Sequence, residues 1–256
     1  METIGFIAAI RQEIHPFLRR VETPVVERLG EFTCFRFRLA GRACLLVRSG
    51  IGLVRAVSAA CALVEAEKPS LLVSFGVAGA IHEGVRVADV VVARSAALLD
   101  AGVPDHILPC ASLSAAALKA VTGVVRERGA RLFSGTTIST PGPQATRVPA
   151  ADIANPVMEM ETHGIALVAA RHGIPLVAIR AVSDSVEEPL PFRLEDFTDA
   201  ACNLRVAAFF AHAIRHPRIL PLLVRLQRNT RAAAENAAVA VLSALSMPAP
   251  IVRISC

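Results

Sequence analysis

The sequence predicts an α/β fold, a mostly parallel sheet covered by helices, and three observations predict it. Short β-branched or apolar runs alternate with longer segments of helical period. Gly, Pro or Ser flank those segments and mark their ends. The 256 residues are 54% hydrophobic and 19% charged, with a mean hydropathy of +0.52, enough apolar material to bury one large core without disulfides or a structural metal.

The elements follow in order. A strand is expected over 3–9, and because this start has no basic run leading into an apolar stretch and a cleavage site, a secreted form is not expected. The strand at 43–48 ends in Ser49-Gly50-Ile51-Gly52, a glycine-bearing turn that opens a helix over 53–66. The strand at 71–75 runs into SFGVAGA at 74–80, read as a second glycine-bearing turn. Strands at 88–93 and 131–137 enclose a helix over 112–128, and the Gly- and Pro-rich stretch 140–149 reads as a loop. A helix over 160–172, a buried strand at 176–182 and a helix over 194–214 complete a first unit, 1–214. Residues 216–221 break the helix, and 215–256 reads as a basic helical extension with its helix over 222–245.

Charge is concentrated in that extension. From 213 onward six arginines face Glu235 alone, so the tail carries the whole net charge of +5. With no Trp, no Tyr and no Phe beside those arginines, nucleic-acid binding is not expected. The uncharged run 236–252 is short for a membrane span and carries Pro248 and Pro250. Six cysteines without CxxC or zinc-like spacing read as thiols of a reducing compartment, so the cytoplasm is expected, and the seven histidines lack paired ligand spacing, so no metal is expected.

In open α/β sheets ligands bind beyond the carboxyl ends of the strands, so polar residues there are the candidates. Glu13 lies about one helical turn past the first strand, where its plain reading is an acidic residue suited to a helix N-terminus. The two glycine-bearing turns lack the full dinucleotide or P-loop spacing. Glu159 and Glu161, two apart at a helix start, cannot face one direction, so one faces a cleft and the other solvent or an ion pair. Asp184 ends the buried run LVAIRAV, a position suited to a carboxyl that holds a proton, the alternative being an ion pair with Arg180.

Taken together, IGFIAAIRQEI at the start, SGIG at 49–52, SFGVAGAI at 74–81, VADVVVA at 87–93, MEMET at 158–162 and IRAVSDS at 179–185 resemble, in order and spacing, the nucleoside phosphorylase and nucleosidase superfamily. The similarity is greatest to its 5′-methylthioadenosine/S-adenosylhomocysteine nucleosidase branch. It implies a three-layer sandwich around a mixed central sheet, a homo-oligomer, a small-molecule nucleoside substrate and no cofactor. It also implies that Glu13 activates water, that Met160 and Glu161 contact the ribose, and that Asp184, oriented by Ser183, protonates the purine. Gly79, Val77 and Ile138 fall at base-binding positions, Val77 where hydrolytic members usually have a hydroxyl and Ile138 about where they have an aromatic. Adenine leaves once N7 is protonated and the ribosyl centre turns cationic, which calls for one acid by the base and one carboxylate by C1′.

The expected reaction is hydrolysis of the N-glycosidic bond of a 5′-substituted adenine nucleoside. Phosphorolysis is the enzymatic alternative, although the Arg and Ser that would hold phosphate correspond to Ser74 and Val77. Arg48 is a candidate anion ligand, its plain reading being a surface charge. A non-catalytic nucleoside-binding protein is the alternative from another class. METHGIALVAARHGIPLVAIRAVSD and HPRILPLLVRL are also similar to the hopanoid-associated branch that acts on adenosylhopane. In the tail, Leu222, Leu223, Leu226, Ala233, Ala237 and Val241 recur at near-helical spacing, so the helix packs on the core or a partner subunit, or rests its arginines on an anionic membrane surface.

Overall fold

The computed structural model describes residues 3–100, 102–141, 153–184, 220–247 and 250–253. Its elements are β1 (Thr3–Ala8), α1 (Arg11–Leu18), β2 (Glu22–Leu29), β3 (Phe32–Leu39), β4 (Arg42–Arg48), α2 (Leu53–Glu67), β5 (Leu71–Ala80), β6 (Val90–Asp100), β7 (Val103–Pro109), α3 (Ala115–Glu127), β8 (Leu132–Ser139), β9 (Pro156–Glu159), α4 (Thr162–Arg171), β10 (Leu176–Asp184) and α5 (Leu220–Leu245). The expected helix over 194–214 lies outside the described residues, as does most of the loop 140–149.

The strands form one mixed sheet. β1 runs parallel to β4 and β5, and β5 parallel to β10. β10 then pairs antiparallel with β6, β6 parallel with β8, β8 parallel with β9, and β9 antiparallel with β5. These five pairings close β5, β10, β6, β8 and β9 into a ring, while β1, β4, β3 and β2 extend from β5 as an open arm and β7 edges β6.

The hairpin β2–β3 has no counterpart in the sequence reading, because it is an edge element whose Val25 and Val26 are 58% and 65% exposed and so break the apolar alternation. At the turn into β4, Ala40 (φ 48°) and Gly41 (φ 80°) are both left-handed, the conformation that suits a two-residue hairpin turn. The segment 74–80, expected as a turn, is the second half of β5. Its alternating small residues let the strand continue between β9 and β10, because both neighbours pair with it there.

The helices form two layers. Ala56, Ala59, Ala60 and Leu63 of α2 pack with Ile165 and Val168 of α4 over Leu72 and Ala178. Gly5 is required beneath them, since a Cβ there would lie 2.4 Å from a Leu63 methyl. On the opposite face α1, α3 and α5 cover Phe6, Val73, Phe75, Val177 and Ile179.

The tail is not a separate layer. From Ala233 on, α5 buries Ala237, Ala238, Ala240, Val241 and Ala244 almost completely against β10, β5, α1 and α3. Small side chains let this helix lie close to the sheet, so the expected boundary after 214 does not divide the core. Arg19 and Arg20, at the end of α1, both donate to Glu235 and tie the first helix to the last. Among the described residues no helix is long and apolar enough to cross a membrane.

Candidate active site

Polar side chains gather where β1, β4, β5, β9 and β10 end. Glu13 sits in the first turn of α1, and its Oε2 accepts from the amides of Ala9 (3.0 Å) and Ile10 (3.1 Å), capping the helix start. Its Oε1 accepts from the Val77 amide across the cleft at 2.8 Å. Gly76 makes that approach possible, since a Cβ there would lie 2.2 Å from Oε1. Burial pushes the Glu13 carboxyl up, opposed by Arg180 and by the three amides.

Arg180 is the one cation of the buried strand β10, and it is 2% exposed. Its Nη2 donates to Ser74 Oγ (2.9 Å), Thr162 Oγ1 (2.8 Å) and Glu159 Oε2 (2.7 Å). Glu159 Oε2 also accepts from the Thr162 hydroxyl (2.7 Å) and from the amides of Thr162 (2.8 Å) and Glu161 (3.1 Å), and Ser139 Oγ donates to its Oε1. Ser139 Oγ in turn accepts from the His163 amide at 2.9 Å, so the start of α4 is knotted to the end of β8. Burial acts to raise the Glu159 carboxyl, but Arg180 and the hydroxyl and amide donors prevail and hold it below its ordinary value. The expected alternative, an Arg180–Asp184 pair, is not what forms: Glu159 is the carboxylate that Arg180 reaches.

Glu161, two residues on, is also buried, with its Oε1 accepting from the Gly52 amide at 2.8 Å. Neither glutamate of the pair faces solvent; one is in the expected ion pair, the other turns to the glycine loop. Burial and the neighbouring Glu159 charge push the Glu161 carboxyl up to about 8. Gly52 (φ 104°) and Gly50 (φ 84°) adopt left-handed conformations that fold the loop over the end of β1, where the Gly50 amide meets Ala9 O at 3.0 Å.

Asp184 ends β10 opposite Gly79, and a Cβ on Gly79 would lie 2.8 Å from Asp184 Oδ2. Ser183 Oγ donates to Asp184 Oδ1 at 2.6 Å and fixes the carboxyl orientation. Val77 contributes its amide to Glu13, and Met160, half-buried, places its amide 3.4 Å from Glu161 Oε2.

Two candidates are not brought to this cluster. Ile138 is fully buried in a small apolar group with Ala97 and Leu99, because on β8 it points opposite to Ser139, which reaches Glu159. Arg48 is exposed and donates to Thr33 Oγ1 of β3 at 3.2 Å, as the surface reading has it. Among the described residues no group of His, Cys, Asp and Glu is placed to hold a metal ion. The residue missed in the sequence as part of the site is Arg180. Its signal was present: a charge inside LVAIRAV must find a buried counter-ion.

Residues 3–215 match the family model of the phosphorylase superfamily. The chain belongs to that superfamily. Among superfamily relatives, the 5′-methylthioadenosine/S-adenosylhomocysteine nucleosidase of Actinobacillus succinogenes is 26% identical over 214 residues, covering 78% of this chain and 93% of that protein. Its namesake from Shewanella halifaxensis is 28% identical over 212 residues, 76% of this chain and 91% of that one. The S-adenosylhomocysteine nucleosidase of Streptococcus pyogenes, solved with 5-methylthiotubericidin, superposes with a TM-score of 0.70 at 20% identity and covers 97% of this chain and 98% of that one. A mutant futalosine hydrolase of Helicobacter pylori gives 0.65 at 17% identity over 94% and 99%. The family model ends before α5, whereas the fold likeness to the Streptococcus pyogenes structure covers 97% of the chain and so reaches past it.

Proposed function

We propose that the protein hydrolyses the N-glycosidic bond of a 5′-substituted adenine nucleoside and releases adenine, the substrate class named for its nucleosidase relatives. The observation that carries the reading is Glu13: a buried carboxylate held beside Gly76 by three amides, next to a cation and within the same cluster as Glu161. Burial raises its basicity, which suits a group that takes a proton from water at the ribosyl carbon. Glu161 accepts from ribose hydroxyls, with Met160 against the sugar. Asp184, aimed by Ser183, donates to the purine nitrogen, with Gly79 and the Val77 backbone beside the base.

Water is favoured over phosphate as the nucleophile. Ser74, the hydroxyl of the glycine segment, is fully buried and already accepts from Arg180, and the Val77 side chain offers phosphate no hydrogen bond. The enzyme is proposed to act in the cytoplasm as a homo-oligomer, a state supported by the exposed Ile51, Val54 and Leu167 around the α2–α4 layer.

Product analysis with methylthioadenosine and S-adenosylhomocysteine, each with and without phosphate, tests the reading. Free adenine and free pentose without phosphate are expected. A strict phosphate requirement with a sugar phosphate product overturns hydrolysis, and no cleavage of any nucleoside leaves a binding protein.

A further inference from the structure

Away from the carboxylate cluster a cavity of about 590 Å³ opens between α3 and the starts of β6 and β8. None of the carboxylates described above lines it. Its floor is apolar, built from Val92, Leu113 and Leu132, which pack with α3, and its rim carries Arg94, Arg126, Arg131 and Arg253. Among the described residues no Asp or Glu lines it.

The four arginines are not equivalent. Arg131 is neutralised: Asp89, 3% exposed, accepts from its Nη2 at 2.5 Å and from its backbone amide at 2.9 Å, and the guanidinium lies 5.1 Å over the Phe133 ring. This gives the conspicuous VADVVVA motif an architectural use, since its Asp89 holds Arg131 over Phe133, whose ring packs with Val91 on the other face of β8. Arg94, Arg126 and Arg253 form no ion pair among the described residues. Arg126, in the last turn of α3, has a helix-dipole reason to be basic, but Arg94 on a strand and Arg253 have none. Arg253 is held at the rim by backbone pairing, with its amide on Ser112 O (2.8 Å), the Ser114 amide on Ile251 O (2.7 Å), and a bridge between Leu113 and Val252.

Three guanidiniums without an ion pair among the described residues line one cavity and present forked donors that match phosphate oxygens. The volume lies within the range of small-molecule sites, and the floor suits an apolar or flat body. We propose that this cavity is a second binding site, for an organic phosphate whose phosphate engages Arg94, Arg126 and Arg253 and whose body lies on the floor of Val92, Leu113 and Leu132. Two sources share that chemistry, a soluble nucleotide and a phospholipid headgroup.

Calorimetric titration of the full chain with ADP, with dihexanoyl phosphatidate and with inorganic phosphate tests it. At least one organic phosphate is expected to bind more tightly than inorganic phosphate, and the one that does names the source. Its affinity should fall at least tenfold in the Arg94→Gln/Arg253→Gln variant, weaken with added salt, and stay unchanged in Glu161→Gln. The double variant changes exposed side chains and Glu161→Gln replaces a buried carboxyl by an amide of the same shape, and a melting curve checks that each is folded. Equal affinity in the double variant, loss in Glu161→Gln, or no binding of either organic phosphate at millimolar concentration overturns the site.

Discussion

Glu159 and the trio Glu13, Glu161 and Asp184 are the same chemical group in adjacent places, yet the structure treats them oppositely. Glu159 is saturated: Arg180, Ser139, Thr162 and two amides occupy its oxygens, and it stays ionised below its ordinary range. Glu13 and Glu161 are buried with fewer donors, chiefly backbone amides, and are pushed up. Asp184 has Ser183 on one oxygen and stands at the open end of β10. Burial alone therefore does not mark a reacting carboxylate. What separates the proposed reacting carboxylates from Glu159 is hydrogen-bonding capacity left for something other than the protein.

The comparison breaks most sharply at Asp184. Asp184→Asn should lower turnover by roughly 10²- to 10⁴-fold, the usual worth of a general acid, while melting temperature and adenine affinity stay close to those of the parent protein. Near-parental turnover in the folded variant would return Asp184 to the structural side.

Glu159→Gln should do the reverse. Removing one partner of a buried pair leaves Arg180 uncompensated at a cost of about 3–5 kcal/mol, so thermal or urea denaturation should show a large loss of stability. A variant as stable as the parent would show that the knot is not structural.

The last test concerns pH. The folded Glu161 carboxyl titrates at about 8, above its ordinary 4.5, so the native state holds a proton that the unfolded chain has released between those values. Its contribution to stability is complete below about 4.5 and is lost as pH rises through about 8. The stability of the parent relative to Glu161→Gln should therefore decline across that window in urea titrations. A difference that stays level with pH would mean that Glu161 is not held protonated.

Much of this was legible in the chain. The strands at the starts of β1, β4, β5, β8 and β10 and the helices α2, α3 and α4 follow from apolar periodicity and capping, Ser114 accepting from the Ala117 amide being one such cap. Harder to read were β2, β7 and β9, because edge strands and a four-residue strand carry little apolar alternation. The motifs point to Glu13, Glu161 and Asp184, whereas Ile138 lies in a separate apolar group on β8, since a position in a motif does not fix which face of a strand it occupies.

By itself the sequence determined the α/β class, the superfamily and the acidic residues available for chemistry, because periodicity, turn residues and ordered motifs are local properties of the chain. Only the tertiary structure decided which carboxylate is which. Glu159 and Glu161 are two residues apart, and their opposite shifts depend on Arg180, brought from β10 onto Glu159, and on the burial and Glu159 charge that push Glu161 up against the opposing Gly52 amide. The closure of the ring, the burial of α5 in the core and the gathering of Arg94, Arg126 and Arg253 around one cavity are likewise long-range events. Charges and hydrogen bonds act through space, and the distances between these groups exist only after the sheet has closed.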